Sequence, residues 1–296
     1  MVFEPIKILI NGEIYSGDDD RQVSIYSPSF QYGLTIFEGI RGYAYKEEIK
    51  LLELEAHIRR LISSAKLIGF DIHRNIEEEI KNDISKIMIN SHSDDIYLKI
   101  ILCYLKEGSW SSTHTPDRVL FFYPLKSNLR SCYTFPTAKG EITSYERINS
   151  NSLSPYIKCG ANYINSRLAF LEVNFNKKET IFPIFLTNNG LISESTGSAL
   201  FVIKNNLFIT PPIKNNILPS ITREFLMKVI CPQINIEVIE KDLNRWELLD
   251  SEGVFLAGTN IEILNISDIG RHKINTNNEL LKALYDKTRN VVINDL

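Results

Sequence analysis

The sequence predicts an α+β protein of two domains, a small amino-terminal domain that mixes helices with strands and a larger carboxy-terminal domain dominated by strands. Three observations carry this expectation. The chain has 296 residues, of which 44% are hydrophobic, enough for two ordinary domains with buried cores. Two helical apolar periodicities lie among strand-like runs before residue 125. Beyond residue 138 strand-like runs dominate, broken by Asn-Asn and Asn-Gly turns.

Taken in order, "IKILINGEIYS" sets Asn11-Gly12 between apolar alternations, the signature of a hairpin with a type I′ turn. Two helical patterns follow, one with Leu54, Ile58, Leu61, Ile62 and Ala65 on a single face, the other with Ile76, Ile80, Ile84, Ile87 and Met88. The runs 95–105 and 118–125 read as neighbouring strands and complete an α+β unit over residues 1–125. Residues 126–137 have no clean period and contain a proline, so they form the expected interdomain connection. From 138 to 296 the strands "EITSYERI", "IFPIFLTNNGLIS", "SALFVIKNNLFITPP" and "NIEVIEKDL" alternate with helical patterns at 162–174, 221–230, 243–250 and 277–289, which suggests a barrel or sandwich. Ile164, Leu168 and Leu171 are expected to anchor the first of these helices to the core.

Charge and composition exclude several classes. With 33 basic and 36 acidic residues dispersed along the chain and a net charge of −3, neither nucleic acid nor a membrane surface is an expected partner. No apolar run approaches the ~20 residues of a membrane span. Cys103, Cys132, Cys159 and Cys231 form no CxxC pair and the amino terminus lacks a secretory pattern, so reduced thiols in a cytoplasmic protein are expected, with no metal.

Lys158, in "IKCGANYINSRLAFLEV", precedes a helix start whose positive end favours a neutral amine, as a Schiff-base lysine requires. By itself the stretch reads first as a solvated lysine ahead of a helix, since lysine is rarely buried. Other candidates follow it: Tyr163, Glu194, the helix opening Ser220-Ile221-Thr222 with amides suited to a phosphate, and Gly258-Thr259 at a strand end. Each alone is also a surface acid, a helix cap or a turn.

Taken together, "YGLTIFEGIRGY" (32–43), "HIRRL" (57–61), "K…NY" (158–163), "ISE" (192–194), "LPSITRE" (218–224) and "VFLAGT" (254–259) resemble the fold-type IV pyridoxal-phosphate enzymes. Among these they are most similar to the branched-chain amino-acid aminotransferases. The resemblance implies a small α/β domain followed by a larger pseudo-barrel domain. It implies pyridoxal 5'-phosphate carried as an aldimine on Lys158, with Glu194 at the pyridine nitrogen, Tyr163 at the phenolic oxygen and Leu218 on the ring face. Arg60, Ile221, Thr222 and Thr259 would hold the phosphate. On the substrate side it implies Tyr32, Phe37, Gly39, Tyr97, Lys99 and Asn260, and a homodimer in which Tyr32 reaches the partner's site. The activity implied is ping-pong transamination between an apolar or branched-chain α-amino acid and an α-keto acid. A lyase of the aminodeoxychorismate type and a D-amino-acid aminotransferase are alternatives on the same scaffold, as is a cofactor-holding protein without turnover.

The substrate side departs from the family pattern. Lys99 stands where an arginine is usual, which keeps the charge and loses the bidentate fork. Asn260 and Ile261 replace two alanines, Ser198 and Ala199 replace a polar pair, and Ser220 replaces a glycine.

Overall fold

The computed structural model describes residues 7–16, 22–46, 48–89, 94–131 and 135–295, which divide into two compact units. Unit one comprises residues 1–126 together with 157–161, and unit two comprises 127–156 and 162–296. The segment that carries Lys158 therefore belongs to the first unit, whereas the sequence division assigns it to the second. Its backbone is the reason. Phe37 N–H donates to Lys158 O at 3.1 Å, Lys158 N–H donates to Ser64 Oγ at 3.2 Å, and Ile36 and Cys159 form an antiparallel bridge.

In unit one, β1 (Lys7–Ile10) and β2 (Glu13–Ser16) form the hairpin, with Asn11 and Gly12 at positive φ as a primed turn requires. Helix α1 (Pro28–Tyr32) is capped by Ser27 and ends on Gly33 at φ +66. Then come β3 (Thr35–Tyr45), β4 (Glu48–Leu51), α2 (Leu54–Leu67), α3 (Ile76–Met88), β5 (Ile96–Cys103) and β6 (Asp117–Pro124). The sheet is antiparallel in the order β2-β1-β6-β5-β3-β4. Ile58, Leu61 and Ala65 of α2 and Ile76, Ile80, Ile84 and Ile87 of α3 join Ile36, Ile40, Leu98, Ile100 and Leu120 in its core.

Polar residues interrupt those helix faces where a partner waits. Asp83 accepts from Arg118 Nε at 2.8 Å. Glu38, fully buried on the helix-facing side of β3, takes Arg60 Nε at 2.6 Å on Oε1 and Arg60 Nη2 at 2.8 Å on Oε2, with His57 Nδ1 at 2.8 Å from Oε2. This clamp ties α2 to β3.

Unit two contains α4 (Asn128–Ser131), β7 (Thr137–Glu146), α5 (Tyr163–Asn174), β8 (Ile181–Leu186), β9 (Ile192–Ser195), β10 (Ala199–Lys204) and β11 (Leu207–Thr210). It continues with α6 (Ile221–Phe225), which runs through a π turn at Leu226–Ile230 into α7 (Cys231–Gln233), then β12 (Val238–Glu240), α8 (Arg245–Leu249), β13 (Gly253–Gly258), β14 (Glu262–Ile269), β15 (His272–Lys273) and α9 (Glu279–Asn290). The strand order is β12-β11-β10-β13-β14-β7-β8-β9, with β15 beside β14. Pairs β7–β8, β7–β14 and β11–β12 are parallel, since helical crossovers such as α5 return the chain to the same end of the sheet. The sheet curls into a half-barrel, and its β9 edge returns to the start of β10, where Ser195 N–H donates to Ser198 O at 3.0 Å. Of the expected connection, 132–134 lie outside the described residues.

One expectation is overturned: Ile164, Leu168 and Leu171 do not anchor α5 but are exposed, at 60%, 41% and 47%. The opposite stripe, Ser166, Ala169 and Val173, is buried against β7 and β8, because small side chains let the helix approach the sheet closely. Polar ties replace the apolar anchor. Glu172 accepts from Thr143 and Ser144, and Asn174 Nδ2 donates to Ile181 O at 2.9 Å.

Burial works to raise the Glu38 pKa, but the charge and hydrogen bonds of Arg60, with His57, hold it down to about 2, against an ordinary 4.5. His57 is held below its ordinary value by burial, against the opposing pull of Glu38. Both groups thus stabilise the fold above their unfolded pKa values. That stability declines first as pH falls below about 6.5 for His57, then between 4.5 and about 2 for Glu38, whose share is about 3 kcal/mol at pH 7. Glu38→Gln should cost about 3–5 kcal/mol at pH 7 and abolish the loss below pH 4.5. Denaturant unfolding at pH 7 and pH 4 measures both effects.

Candidate active site

Lys158 is fixed by backbone bonds at the start of β3, and its Nζ lies 4.9 Å from the centroid of the Phe37 ring. Strand alternation sets Phe37, Gly39 and Arg41 on the face of β3 opposite Glu38. The register places Gly39 against Lys99 and Arg41 against Tyr97, so β5 contributes its own polar side chains to that face. Lys99 Nζ lies 4.6 Å from the same Phe37 centroid. Two cations therefore share one aromatic ring. Burial, then the nearby Lys158 charge, lower the Lys99 pKa.

Gly39 is required here. A Cβ at this position would fall 1.6 Å from Tyr97 Oη, because the phenol lies across the glycine. Tyr97 in turn stacks on Tyr123, with centroids 5.4 Å apart. Tyr32, at the end of α1, is exposed beside other exposed apolar residues, Ile25, Tyr26 and Phe30. Arg60 presents Nε and Nη2 to Glu38 from the helix-facing side of the sheet.

In unit two, Glu194 of β9 is buried, and three donors converge on its Oε1: Arg147 Nη2 at 2.7 Å, Arg147 Nε at 3.0 Å and the Leu218 amide at 3.0 Å. A buried acid so surrounded has its oxygens satisfied by charge-assisted hydrogen bonds. Arg147 also lies over the Phe185 ring, 5.5 Å from its centroid, which fixes the guanidinium plane. Tyr163 opens α5 and is half-buried. Ser220 caps α6, its Oγ accepting from Arg223 N–H at 3.2 Å, and Ile221 and Thr222 are the first helical residues. Thr259 and Asn260 lie in the turn after β13. A Cβ on Gly258 would meet Gly197 O at 3.1 Å and Ser198 Cβ at 3.2 Å, so this turn and the 197–198 segment approach backbone to backbone.

Within the first unit the structure thus brings Lys158, Phe37, Lys99, Gly39 and Tyr97 to one sheet face, and within the second it joins Glu194 to the Leu218 amide. Sequence reasoning missed Glu38, His57 and Arg147. The available signal was chemical: buried acids demand cations, but the Arg147–Glu194 pair spans 47 residues and cannot be matched without the fold. Among the described residues, no group of three His, Cys, Asp or Glu side chains is placed to hold a metal ion. Each unit offers groups of the kinds pyridoxal phosphate needs: the first a lysine amine, the second a hydrogen-bonded carboxyl, a phenol, a capped helix start and a glycine-threonine turn.

A family model described as amino-transferase class IV matches residues 35–269. A probable branched-chain-amino-acid aminotransferase of Aquifex aeolicus is 30% identical over 263 residues, 86% of this chain and 82% of that protein. The structure of the branched-chain amino acid aminotransferase of Thermobaculum terrenum in its PLP form superposes with a TM-score of 0.87 at 29% identity, covering 98% of this chain and 95% of that one. The branched-chain aminotransferase of Thermoproteus uzoniensis with norvaline also gives 0.87, at 25% identity, over 97% and 95% of the two chains. Match and superposition both extend across the strand that seats Lys158 and the half-barrel that holds Glu194, and the chain belongs to the amino-transferase class IV family as a fold-type IV, pyridoxal-phosphate-dependent aminotransferase.

Proposed function

We propose that this aminotransferase moves an amino group between an apolar, branched α-amino acid and an α-keto acid in two alternating half-reactions. The observation that carries the reading is the sheet face on which the Lys158 amine rests against Phe37, with Tyr97 folded over Gly39 and stacked on Tyr123. It offers an apolar, aromatic wall to a side chain. Relatives that act on branched-chain amino acids, and a neighbour that holds norvaline, support it.

When bound, the cofactor withdraws electrons from the substrate α-carbon and stores the amino group between half-reactions. The residues of this chain do the rest. Lys158 Nζ takes the α-proton and returns it. Glu194, hydrogen-bonded by Arg147 and the Leu218 amide, holds the proton on the ring nitrogen, and Tyr163 donates to the phenolic oxygen. Leu218 packs on the ring face. Arg60, the amides of Ile221 and Thr222, and Thr259 hold the phosphate. Tyr32, Phe37, Gly39, Tyr97, Lys99 and Asn260 receive the substrate.

The protein works as a homodimer with the site near its interface, a reading supported by the exposed apolar group Ile25, Tyr26, Phe30, Tyr32 and Trp110. It works in the cytoplasm, a reading supported by the buried free thiols of Cys103 and Cys231. No helix among the described residues is long and apolar enough to cross a membrane.

Lys158→Ala should remove both the visible absorbance of the cofactor-loaded enzyme and turnover across a panel of L- and D-amino acids. Residual turnover would strip Lys158 of its role, and a panel in which no amino acid alters the wild-type spectrum would refute transamination. At Lys99, arginine should raise the kcat/KM of a dicarboxylic keto acid relative to an apolar one about tenfold, because the fork grips a carboxylate with two bonds. With its pKa lowered, Lys99 loses its charge at a lower pH than a solvated lysine does. The wild-type preference for the dicarboxylic acid should therefore fall as pH rises through the alkaline range, and Lys99→Arg should flatten that profile.

A further inference from the structure

The turn between β13 and β14 has three residues, Thr259, Asn260 and Ile261, with Gly258 and Glu262 facing each other across its mouth. A hairpin of this length ends on a residue in the left-handed region, which glycine or asparagine ordinarily fills. Here Glu262 fills it, at φ +58. By contrast, the β10–β11 turn gives its positive-φ positions to Asn205 and Asn206.

What holds a glutamate in this conformation is its own carboxylate. The side chain is buried, Oε1 accepts from Ser127 Oγ at 2.6 Å, and Oε2 accepts from the amides of Asn128 at 2.6 Å and Leu129 at 3.1 Å. That end of the clamp is itself fixed. Arg130 N–H donates to Ser127 Oγ at 3.2 Å, and Tyr285 Oη donates to Asn128 O at 2.8 Å. The carboxylate thus fastens the turn to the start of α4, across a separation of 133 to 135 residues.

We propose that Glu262 is a positioning residue: anchored on Ser127, Asn128 and Leu129, it sets the backbone of the turn so that Thr259 and Asn260 are aimed before any ligand arrives. The role of those two residues, phosphate for Thr259 and substrate for Asn260, rests on the reading given above. A pre-set turn binds phosphate without first ordering three residues, so loosening it appears in affinity.

The experiment measures binding of pyridoxal phosphate, and of pyridoxal without its phosphate, to the full-length apoprotein, alongside KM and kcat. Glu262→Gly keeps the left-handed backbone and removes the clamp. It should weaken pyridoxal phosphate about tenfold, or 1.4 kcal/mol, weaken pyridoxal less than twofold, and raise KM for the amino acid by a larger factor than kcat falls. Glu262→Gln, which retains one acceptor oxygen, should fall between the two. A folded Glu262→Gly protein with both affinities within twofold of wild type overturns the proposal. Should that variant not fold, Ser127→Ala removes one anchor and should weaken pyridoxal phosphate about threefold, and no change overturns it equally. Thr259→Ala, run in parallel, tests the underlying reading. If it leaves pyridoxal phosphate affinity unchanged while Glu262→Gly weakens it, the clamp stands and Thr259 loses its role.

Discussion

Lys158 stands where it does because its backbone pairs with the beginning of β3. The Phe37 amide on its carbonyl, the Ser64 hydroxyl on its amide and the Ile36–Cys159 bridge hold residues 157–161 in the first unit, although the chain on both sides of them belongs to the second. Everything on that sheet face follows from this pairing. It sets the amine against Phe37, and strand register then fixes which other side chains share the face: Lys99 opposite Gly39, and Tyr97 opposite Arg41 but leaning over Gly39. A one-residue slip of β3 would turn Glu38 toward this face and Phe37 toward the core.

Three buried glutamates repeat one device. A carboxylate away from water is tolerated only when donors surround it, and once surrounded it fixes whatever brings the donors. Glu38 gathers Arg60 and His57, tying α2 to β3. Glu194 gathers Arg147 and the Leu218 amide, tying β9 to the end of β7 and to the approach to α6. Glu262 gathers Ser127 and two amides, tying the β13–β14 turn to α4. Each is joined to, or lies in the same turn as, a candidate cofactor contact: Arg60, Leu218 or Thr259. Apolar packing builds the two cores, and these acids determine the orientation of the polar groups at their margins.

Much of this was legible in the residues. The period of 3.6 in α2 and α3, the Asn-Gly and Asn-Asn turns and the alternation in β5 are local signals, because backbone geometry forces them on any segment that buries one face. The collinear motifs around Lys158, Glu194 and Thr259 pointed to the cofactor before any coordinate did. The α5 helix shows where local reading stops. Ile164, Leu168 and Leu171 recur at helical spacing, yet the sheet took the side with Ser166, Ala169 and Val173. Periodicity reveals that a helix has two faces, and only the neighbour decides which face it can approach closely.

By itself, then, the sequence determined many of the secondary elements, though not α1, β3 or β4, together with the class of the fold and the residues with chemistry to offer, all of which depend on nearest neighbours or on short motifs. Only the tertiary structure decided which unit owns Lys158, which cation serves which buried acid and why a glutamate occupies a glycine's conformation at 262. Those are pairings across 19 to 135 residues, and they are selected by burial. An unpaired charge in the interior is too costly to persist, so the fold must supply a partner whose position no local pattern records.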